Sequence, residues 1–428
     1  MSNLRPTLTV VGRRLQPEHH RLRDFLTRVA QPFEWVEAGT PQADEVLAPR
    51  GLAGAELPVV VDRDEVVAAA TVEHLVEEWR LAAPPSRASY ELAIVGAGPA
   101  GLAAAVYAAS DGISTIVAER DVPGGQASHT SMIENFFGFP DGIGGAELAR
   151  LAGRQAERFG AELVLLRGVT GSERLPGGFM LRFEGGYEVE ARVVVAAPGM
   201  VWRRLAVDGV EELLGRGVYY GAGRSEATQC GGEDVVVVGA GNSAGQAVMH
   251  LADAGARVRM LVRGERLGKS MSAYLVERIA AHPLVDVRLR TEIEAIEADG
   301  GRLAVVAVRS AGGAAARLPA RSLFLCLGGE PRTGWAADSG VATDAAGYIL
   351  TGPDLLDEGR RPAGWPLARD PLALETSAPG LFVAGDARHG STKRVAGAVG
   401  DGAMAAALVH RRLEELDREA AGAGGSAT

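Results

Sequence analysis

The sequence predicts an α/β protein: two three-layer strand–turn–helix units of one kind, preceded by a smaller α/β domain. Three observations predict it. A strand, a glycine-rich turn, a helix and a second strand follow one another from Tyr90, and the same order returns from Asp234. A shorter alternation of strands and helices fills residues 1–83. The composition, with 57 Gly and 47% hydrophobic but only 5% aromatic residues, suits tight strand-to-helix turns. At 428 residues the chain is long enough for two or three domains with substantial cores.

In the first domain TLTVVG reads as a strand and HHRLRDFLTRVA as a helix with apolar residues at helical spacing. PFEWVE and LPVVVD read as further strands and DEVVAA as a fourth. TVEHLVEEWRL closes the unit as an amphipathic helix with Thr71 as its N-cap. A run rich in proline and small residues follows, with residues 84–89 as the linker. His19 and His20 read as solvated. This β-α-β-β-α order resembles the thioredoxin/glutaredoxin fold, with Pro58 opening a strand where that fold has its cis-proline. The Cys-x-x-Cys of that family is absent: GRRLQPEHH stands ahead of the first helix. Thiol redox chemistry is therefore excluded here, and the unit reads as a docking or dimerisation module.

ELAIVGAGPAGLAAAVYAASDGISTIVAER then carries G-x-G-x-x-G at Gly96, Gly98 and Gly101, with Pro99 and Ala100 inside the turn. The first glycine permits the tight turn, the second lets the backbone approach a pyrophosphate, and the third lets helix pack on strand. The helix N-terminus faces the phosphates. Glu119 lies about 20 residues on, where a carboxylate takes a ribose hydroxyl. Two such Rossmann-type units are predicted. The second turn has Gly239, Gly241 and Ala244, with Asn242 and Ser243 between them. Its second strand ends without an acid; LVRGERLGKS places Arg263, Arg266 and Lys269 where an adenosine 2′-phosphate would lie. That favours NADP(H) over NAD(H), against the alternative of a solvated basic loop. Later, GLFVAGD ends in Gly385 and Asp386, and a helix from near Thr392 points its positive end at them. Residues 416–428 read as a disordered tail.

Together these motifs resemble the thioredoxin reductase-like group of two-dinucleotide-binding-domain flavoproteins, over residues 90 to about 413. The resemblance rests on VGAGPAGLAAA, PGGQ at 123–126, IENFFGFP at 133–140, AAPG at 196–199, GAGNSA, LGGEP at 327–331 and GLFVAGD. It implies FAD and NADPH as cofactors and a homodimer. It also implies an FAD domain split between residues 90–205 and 331–415, with an NADPH domain inserted at 206–330. Carried over residue by residue, Gly96, Gly98 and Gly101 cradle the FAD pyrophosphate and Glu119 holds the adenosine ribose. Gly125 and Gln126 line the isoalloxazine, with Asn135 nearby. Asp386 binds the ribityl chain or the flavin-side phosphate. Lys393, Arg394 and Val395 bring a helix N-terminus to the pyrimidine edge. Gly239, Gly241, Ser243 and Ala244 hold the NADPH pyrophosphate.

One departure decides the chemistry. The family's disulfide reductases read roughly V-x-Y-C-A-T-C-D-G before the second Rossmann strand; here the cysteine positions are Gly221 and Arg224. Cys230 stands alone in a loop or strand entry, and Cys326 lies in an apolar strand. Disulfide reduction by exchange needs two thiolates. The expected activity is therefore an NADPH-dependent FAD oxidoreductase with a non-dithiol acceptor: a redox protein, a quinone or a small molecule. Two alternatives stand beside it. One is a ferredoxin- or flavodoxin-NADP reductase, for which RRLQPEHHRLR offers a basic docking patch. The other is a non-catalytic, flavin-bound redox sensor or interaction module. No catalytic residue is assigned; Tyr219, Tyr220, Arg224 and His129 are candidates to border an acceptor pocket.

The net charge of −10 argues against nucleic acid or an anionic membrane as partner. No apolar run is long enough to span a bilayer, no signal peptide is read, and two cysteines make no disulfide framework, so the expected compartment is the cytoplasm. No Cys/His cluster has metal-ligand spacing, and no metal is expected.

Overall fold

The computed structural model describes residues 7–63, 65–221, 229–269 and 271–424. The first domain is a four-stranded sheet centred on Leu8–Gly12, parallel to Phe33–Glu37 and antiparallel to Val59–Asp62, which pairs in turn with Glu65–Val67. Period-two alternation sorts its valines onto two faces. Leu8, Val10 and Val60 pack under helices Pro17–Arg28 and Val72–Glu78 with Leu22, Phe25, Leu26 and Leu75. Val11, Val36, Val59 and Val61 pack on the other face with Ala43. Ala43 belongs to a helix, Pro41–Leu47, that the sequence reading missed. Thr40 caps it, its Oγ1 accepting from Ala43 N at 3.3 Å, and Pro41 starts it. Thr71 caps the closing helix as predicted, accepting from His74 N at 3.1 Å. The Leu57–Pro58 bond is cis. The two histidines are not solvated. His19 is buried and its Nδ1 accepts from Arg13 N at 2.8 Å, while His20 packs edge-on against Tyr219. Both sit in the first turn of a helix that faces a neighbouring domain.

The second sheet is the larger of the two Rossmann-type units. Ser89–Val95 lies at its centre, parallel to Thr115–Ala118 on one side and to Glu188–Ala196 on the other. Glu188–Ala196 is shared: its first half pairs antiparallel with Gly178–Phe183, its last three residues parallel with Leu381–Val383 from the far end of the chain. The alanine-rich helix Pro99–Ser110 is buried between this sheet and the last helix, Val395–Gly424. The two helices touch at Gly402, where a Cβ would strike the carbonyl oxygen of Ala100. That last helix begins three residues later than expected. It also runs on through Gly424, so residues 416–424 of the expected tail are helical rather than disordered, and 425–428 lie outside the described residues. Arg412 pairs with Glu415 and Glu419, and Arg192 with Asp417, which ties the extra turns down.

The other Rossmann-type unit is a five-stranded parallel sheet in the order Val218–Tyr220, Ser322–Leu325, Asp234–Val238, Arg257–Val262, Val285–Leu289. A three-stranded antiparallel sheet, Thr291–Asp299, Arg302–Ser310 and Ala315–Pro319, is attached to it. The chain enters and leaves this region through a two-stranded ribbon, Met200–Trp202 against Gly329–Pro331.

Candidate functional site

A cleft of about 1370 Å³ opens at the carboxyl ends of the parallel strands. That exceeds the roughly 300–1,000 Å³ of a single small-ligand pocket. The first turn forms its floor. Gly96, at φ +105°, has no room for a side chain: a Cβ would strike the carbonyl oxygen of Ala197. A Cβ on Gly101 would strike the oxygen of Gly96. Gly98 differs. Its φ of −70° suits any residue, and a Cβ there would meet no described atom within 4 Å. The fold needs the first and third glycines, whereas the second faces open cleft at the N-terminus of helix Pro99–Ser110, where backbone N–H groups favour an anion.

Glu119 is buried at the end of the next strand. Its two oxygens accept from Ala97 N at 2.7 Å and Asp121 N at 3.0 Å, fastening the strand end to the turn. Burial raises its pKa despite those amides. Gly125 and Gln126 line the cleft, with Gln126 Nε2 donating to Met200 O at 3.0 Å. Gly385, Asp386, Lys393, Arg394 and Val395 form the opposite wall. Lys393 Nζ donates to Asp386 O and Ser391 Oγ at 2.5 and 2.7 Å. Burial raises the Asp386 carboxyl and lowers the Lys393 ammonium. Asn135 is not part of the site: Ile133 and Ile143 exchange backbone hydrogen bonds and close a loop that leaves Asn135 exposed outside the cleft.

The second turn repeats the geometry. A Cβ on Gly239 would strike the carbonyl oxygen of Cys326, and Gly241 caps helix Asn242–Asp253. Ala244 is buried against the strand, and Asn242 Oδ1 accepts from Ser272 N at 2.8 Å. Ser243 is exposed and lines the same cleft as the first turn, beside Gln246 and Ala247. Arg263, Arg266 and Lys269 all lie exposed beyond the end of strand Arg257–Val262. Both turns thus fit a dinucleotide, with an exposed cationic loop beside the second.

Of the acceptor-pocket candidates, His129 lines the cleft. Tyr220 does not: its hydroxyl accepts from Leu205 N at 3.0 Å and Arg204 covers its ring at 4.6 Å. Tyr219 is buried against Phe324, with ring centroids 5.3 Å apart. Arg224 lies outside the described residues, while Gly221 borders the cleft. The cleft residues that the sequence reading missed include Trp202, Arg204 and, from the first domain, Arg28. Only the tertiary fold brings Arg28 there, and no local motif marks it. The basic patch is also not a free docking face. Arg14 pairs with Glu233 at 2.8 Å, and Arg23 is fully buried with its guanidinium 4.7 Å from the Trp35 ring centroid. Both cysteines are buried. Burial pushes the Cys326 thiol up to about 12. Among the described residues no acidic, His or Cys group could hold a metal ion, and no helix is long and apolar enough to cross a membrane.

Residues 90–402 match the pyridine nucleotide-disulphide oxidoreductase family. The thioredoxin reductase of Bacillus subtilis (strain 168) is 31% identical over 331 residues, covering 76% of this chain and 96% of that protein. The thioredoxin reductase of Lactococcus lactis, in what is described as its FR conformation, superposes with a TM-score of 0.67 at 28% identity, over 76% of this chain and 99% of that one. The thioredoxin reductase of T. acidophilum gives 0.67 at 27% identity, with the same coverage.

Proposed function

The chain belongs to the pyridine nucleotide-disulphide oxidoreductases, and on that premise we propose that it is an NADPH-dependent FAD oxidoreductase whose acceptor is not a dithiol. FAD and NADPH are the cofactors of this family, and both turns fit them. The observation that carries the reading is one cleft that takes in the first turn and the start of the helix behind the second, in a chain with no thiol pair. Ser243, Gln246 and Ala247 share the cavity with Gly96, Gly98 and Gln126. When bound, the nicotinamide supplies a hydride to the flavin, which hands the electrons on. The chain's part is to bind, orient and polarise, and positioning supplies most of such a rate. The two glycine turns place the phosphates. Gln126, fixed by Met200 O, borders the ring site. Lys393 and the helix starting at Val395 put positive potential along one wall.

Thiol exchange needs an accessible thiolate. Cys326, with its thiol near 12, stays protonated at neutral pH, and Cys230 is buried beside Ser322. Residues 1–83 supply no thiol either. Their strand order, with Leu8–Gly12 between Phe33–Glu37 and Val59–Asp62, supports a thioredoxin-like unit without its cysteines. The reading takes 90–205 and 331–415 as the FAD domain, 206–330 as the NADPH domain, a homodimer as the assembly and the cytosol as the compartment. The engagement of Arg14 and Arg23 weighs against a ferredoxin or flavodoxin docking on that patch.

Anaerobic stopped-flow mixing of the yellow holoenzyme with NADPH or NADH tests the proposal. Fast bleaching by NADPH, unaffected by prior treatment with N-ethylmaleimide, is the expected result. Failure to bleach with either nucleotide overturns it and leaves a flavin-bound sensor.

A further inference from the structure

The first helix, Pro17–Arg28, lies across the seam between the flavin half of the cleft and the inserted domain. Its 12 residues run roughly 18 Å at about 1.5 Å per residue. The first turn touches the inserted domain. His20 packs edge-on to Tyr219 with ring centroids 5.0 Å apart, and Pro17 and His20 lie where a side chain on Gly215 would meet them. Just ahead of the helix, Arg14 donates to both carboxylate oxygens of Glu233, at 3.1 and 2.8 Å. These two side chains are only 21% and 28% exposed. The later turns touch the flavin half instead. Asp24 Oδ1 lies 3.6 Å from His129 Nδ1, and Arg28 pairs with Asp121 at 2.7 Å and donates to Ser128 Oγ at 3.3 Å. Val122 and Leu166 of the flavin half join the core of the first domain.

Apart from an ion pair between half-exposed side chains, Arg278 with Glu134 at 2.6 Å, worth at most about 1 kcal/mol, the inserted domain is tied to the flavin half through the ribbon Met200–Trp202 and Gly329–Pro331, two short strands with no core of their own. Such a ribbon is a hinge: a few residues that absorb a rotation. We propose that the first domain is a strut that locks this hinge, holding the inserted domain in the orientation in which Ser243 and the start of helix Asn242–Asp253 open into the same cleft as the first turn. Any rotation about the ribbon has to part Arg14 from Glu233 and His20 from Tyr219 while Arg28 and Asp24 stay on the flavin half. The lock suits a chain with Gly221 and Arg224 at the dithiol positions. Two groups cannot occupy one flavin face at once, so a dithiol would require a second orientation, and here there is none to accommodate. The proposal rests on reading the cleft as a two-nucleotide site, but its test reads distance and not turnover.

Because both native cysteines are buried, spin labels on introduced surface cysteines report cleanly on the holoenzyme. Tyr107→Cys marks the flavin half, Leu289→Cys the inserted domain and Val66→Cys the first domain; these side chains are 50%, 41% and 36% exposed. The otherwise unaltered chain is expected to give one narrow distance between the labels at 107 and 289. Adding Arg14→Glu, Asp24→Arg and Arg28→Glu should move the label at 66 away and broaden the 107–289 distribution at least twofold. Should that triple variant not fold, Arg14→Glu alone, which leaves the domain's core intact, carries the same comparison. Departure of the label at 66 with the 107–289 distance still narrow overturns the proposal, because the hinge would be stiff without its strut. Unchanged distances throughout overturn it too, because the named contacts would not be what holds the domain. Failure of the two-nucleotide reading shows separately, as narrow distances in a protein that NADPH does not reduce.

Discussion

Gly98→Ala should separate folding from cofactor binding. With φ −70° and ψ −179°, Gly98 has a backbone that alanine adopts freely, and the added methyl meets no described atom within 4 Å. At an N-cap, alanine is worse than glycine by up to about 1 kcal/mol. Removing glycine's freedom from the unfolded chain returns about 0.4–1 kcal/mol. The two effects nearly cancel, so apo stability stays within about 1 kcal/mol of the parent. Binding does not escape. The methyl stands where a pyrophosphate comes closest to the backbone, and each charge-assisted hydrogen bond it displaces is worth about 1.5–3 kcal/mol. FAD affinity should fall about 10- to 150-fold for each bond lost. Gly101→Ala gives the opposite profile: its Cβ strikes the oxygen of Gly96, and the helix must move off the strand at about 1–3 kcal/mol. Urea unfolding of both apo variants and flavin-fluorescence titration of FAD binding measure the two quantities. Parental FAD affinity in Gly98→Ala refutes the phosphate-cradle assignment. So does a loss of stability in Gly98→Ala as large as that of Gly101→Ala.

Glu375 is fully buried and accepts from Arg369, at 2.6 and 3.1 Å, and from Leu372 N and Gly380 N, both at 2.9 Å; Glu375→Ala should cost about 3–5 kcal/mol in denaturant unfolding. With the Cys326 thiol at about 12, roughly one molecule in ten thousand is thiolate at pH 8, so Cys326 should stay unmodified and NADPH oxidation intact after treatment with an alkylating agent; rapid Cys326 modification by mass spectrometry contradicts this. Removing the exposed cations with Arg263→Ala and Arg266→Ala should lower the preference for NADPH over NADH about tenfold or more through KM, leaving NADH kinetics unchanged. Burial pushes the Asp24 carboxyl up, but His129 and Arg28 outweigh that and hold it below the ordinary range. The stability it contributes is therefore present above about pH 4 and lost as pH falls through the lowered value. In Asp24→Asn that acid-side loss should vanish from denaturation curves taken across this range.

The parts of the site written into local sequence were legible. Gly96, Gly98 and Gly101 announce themselves because a tight turn, an open approach and a helix-on-strand contact each exclude side chains at fixed spacing. The same logic found Gly239 and Gly241, and Thr71 as a cap. What depended on distant partners was not legible. Arg28 enters the cleft from a domain about 70 residues away in sequence from the first turn, and Arg14 and Arg23 look like a solvated patch until Glu233 and Trp35 are placed against them. Asn135 sits in a matching motif, yet the Ile133–Ile143 bridge turns its loop outward. The helix Pro41–Leu47 carried a signal, Thr40 before Pro41, that was present and passed over. The tail composition suggested disorder, but Arg192 and Arg412 reach it from the folded body.

Strand Glu188–Ala196 waits for its last neighbour. Val194–Ala196 pair with Leu381–Val383, and roughly 185 residues of chain, including the whole inserted domain, lie between them. At ribosomal rates of about 5–20 residues per second that is roughly 10–40 s of synthesis. By the end of that time the first domain and the inserted domain have all their strands, while the flavin sheet still has one edge open. Its late closure means that the cofactor's own domain is the last to be completed on the ribosome, and that the open edge at Val194–Ala196 is where a nascent chain would be exposed to wrong pairing.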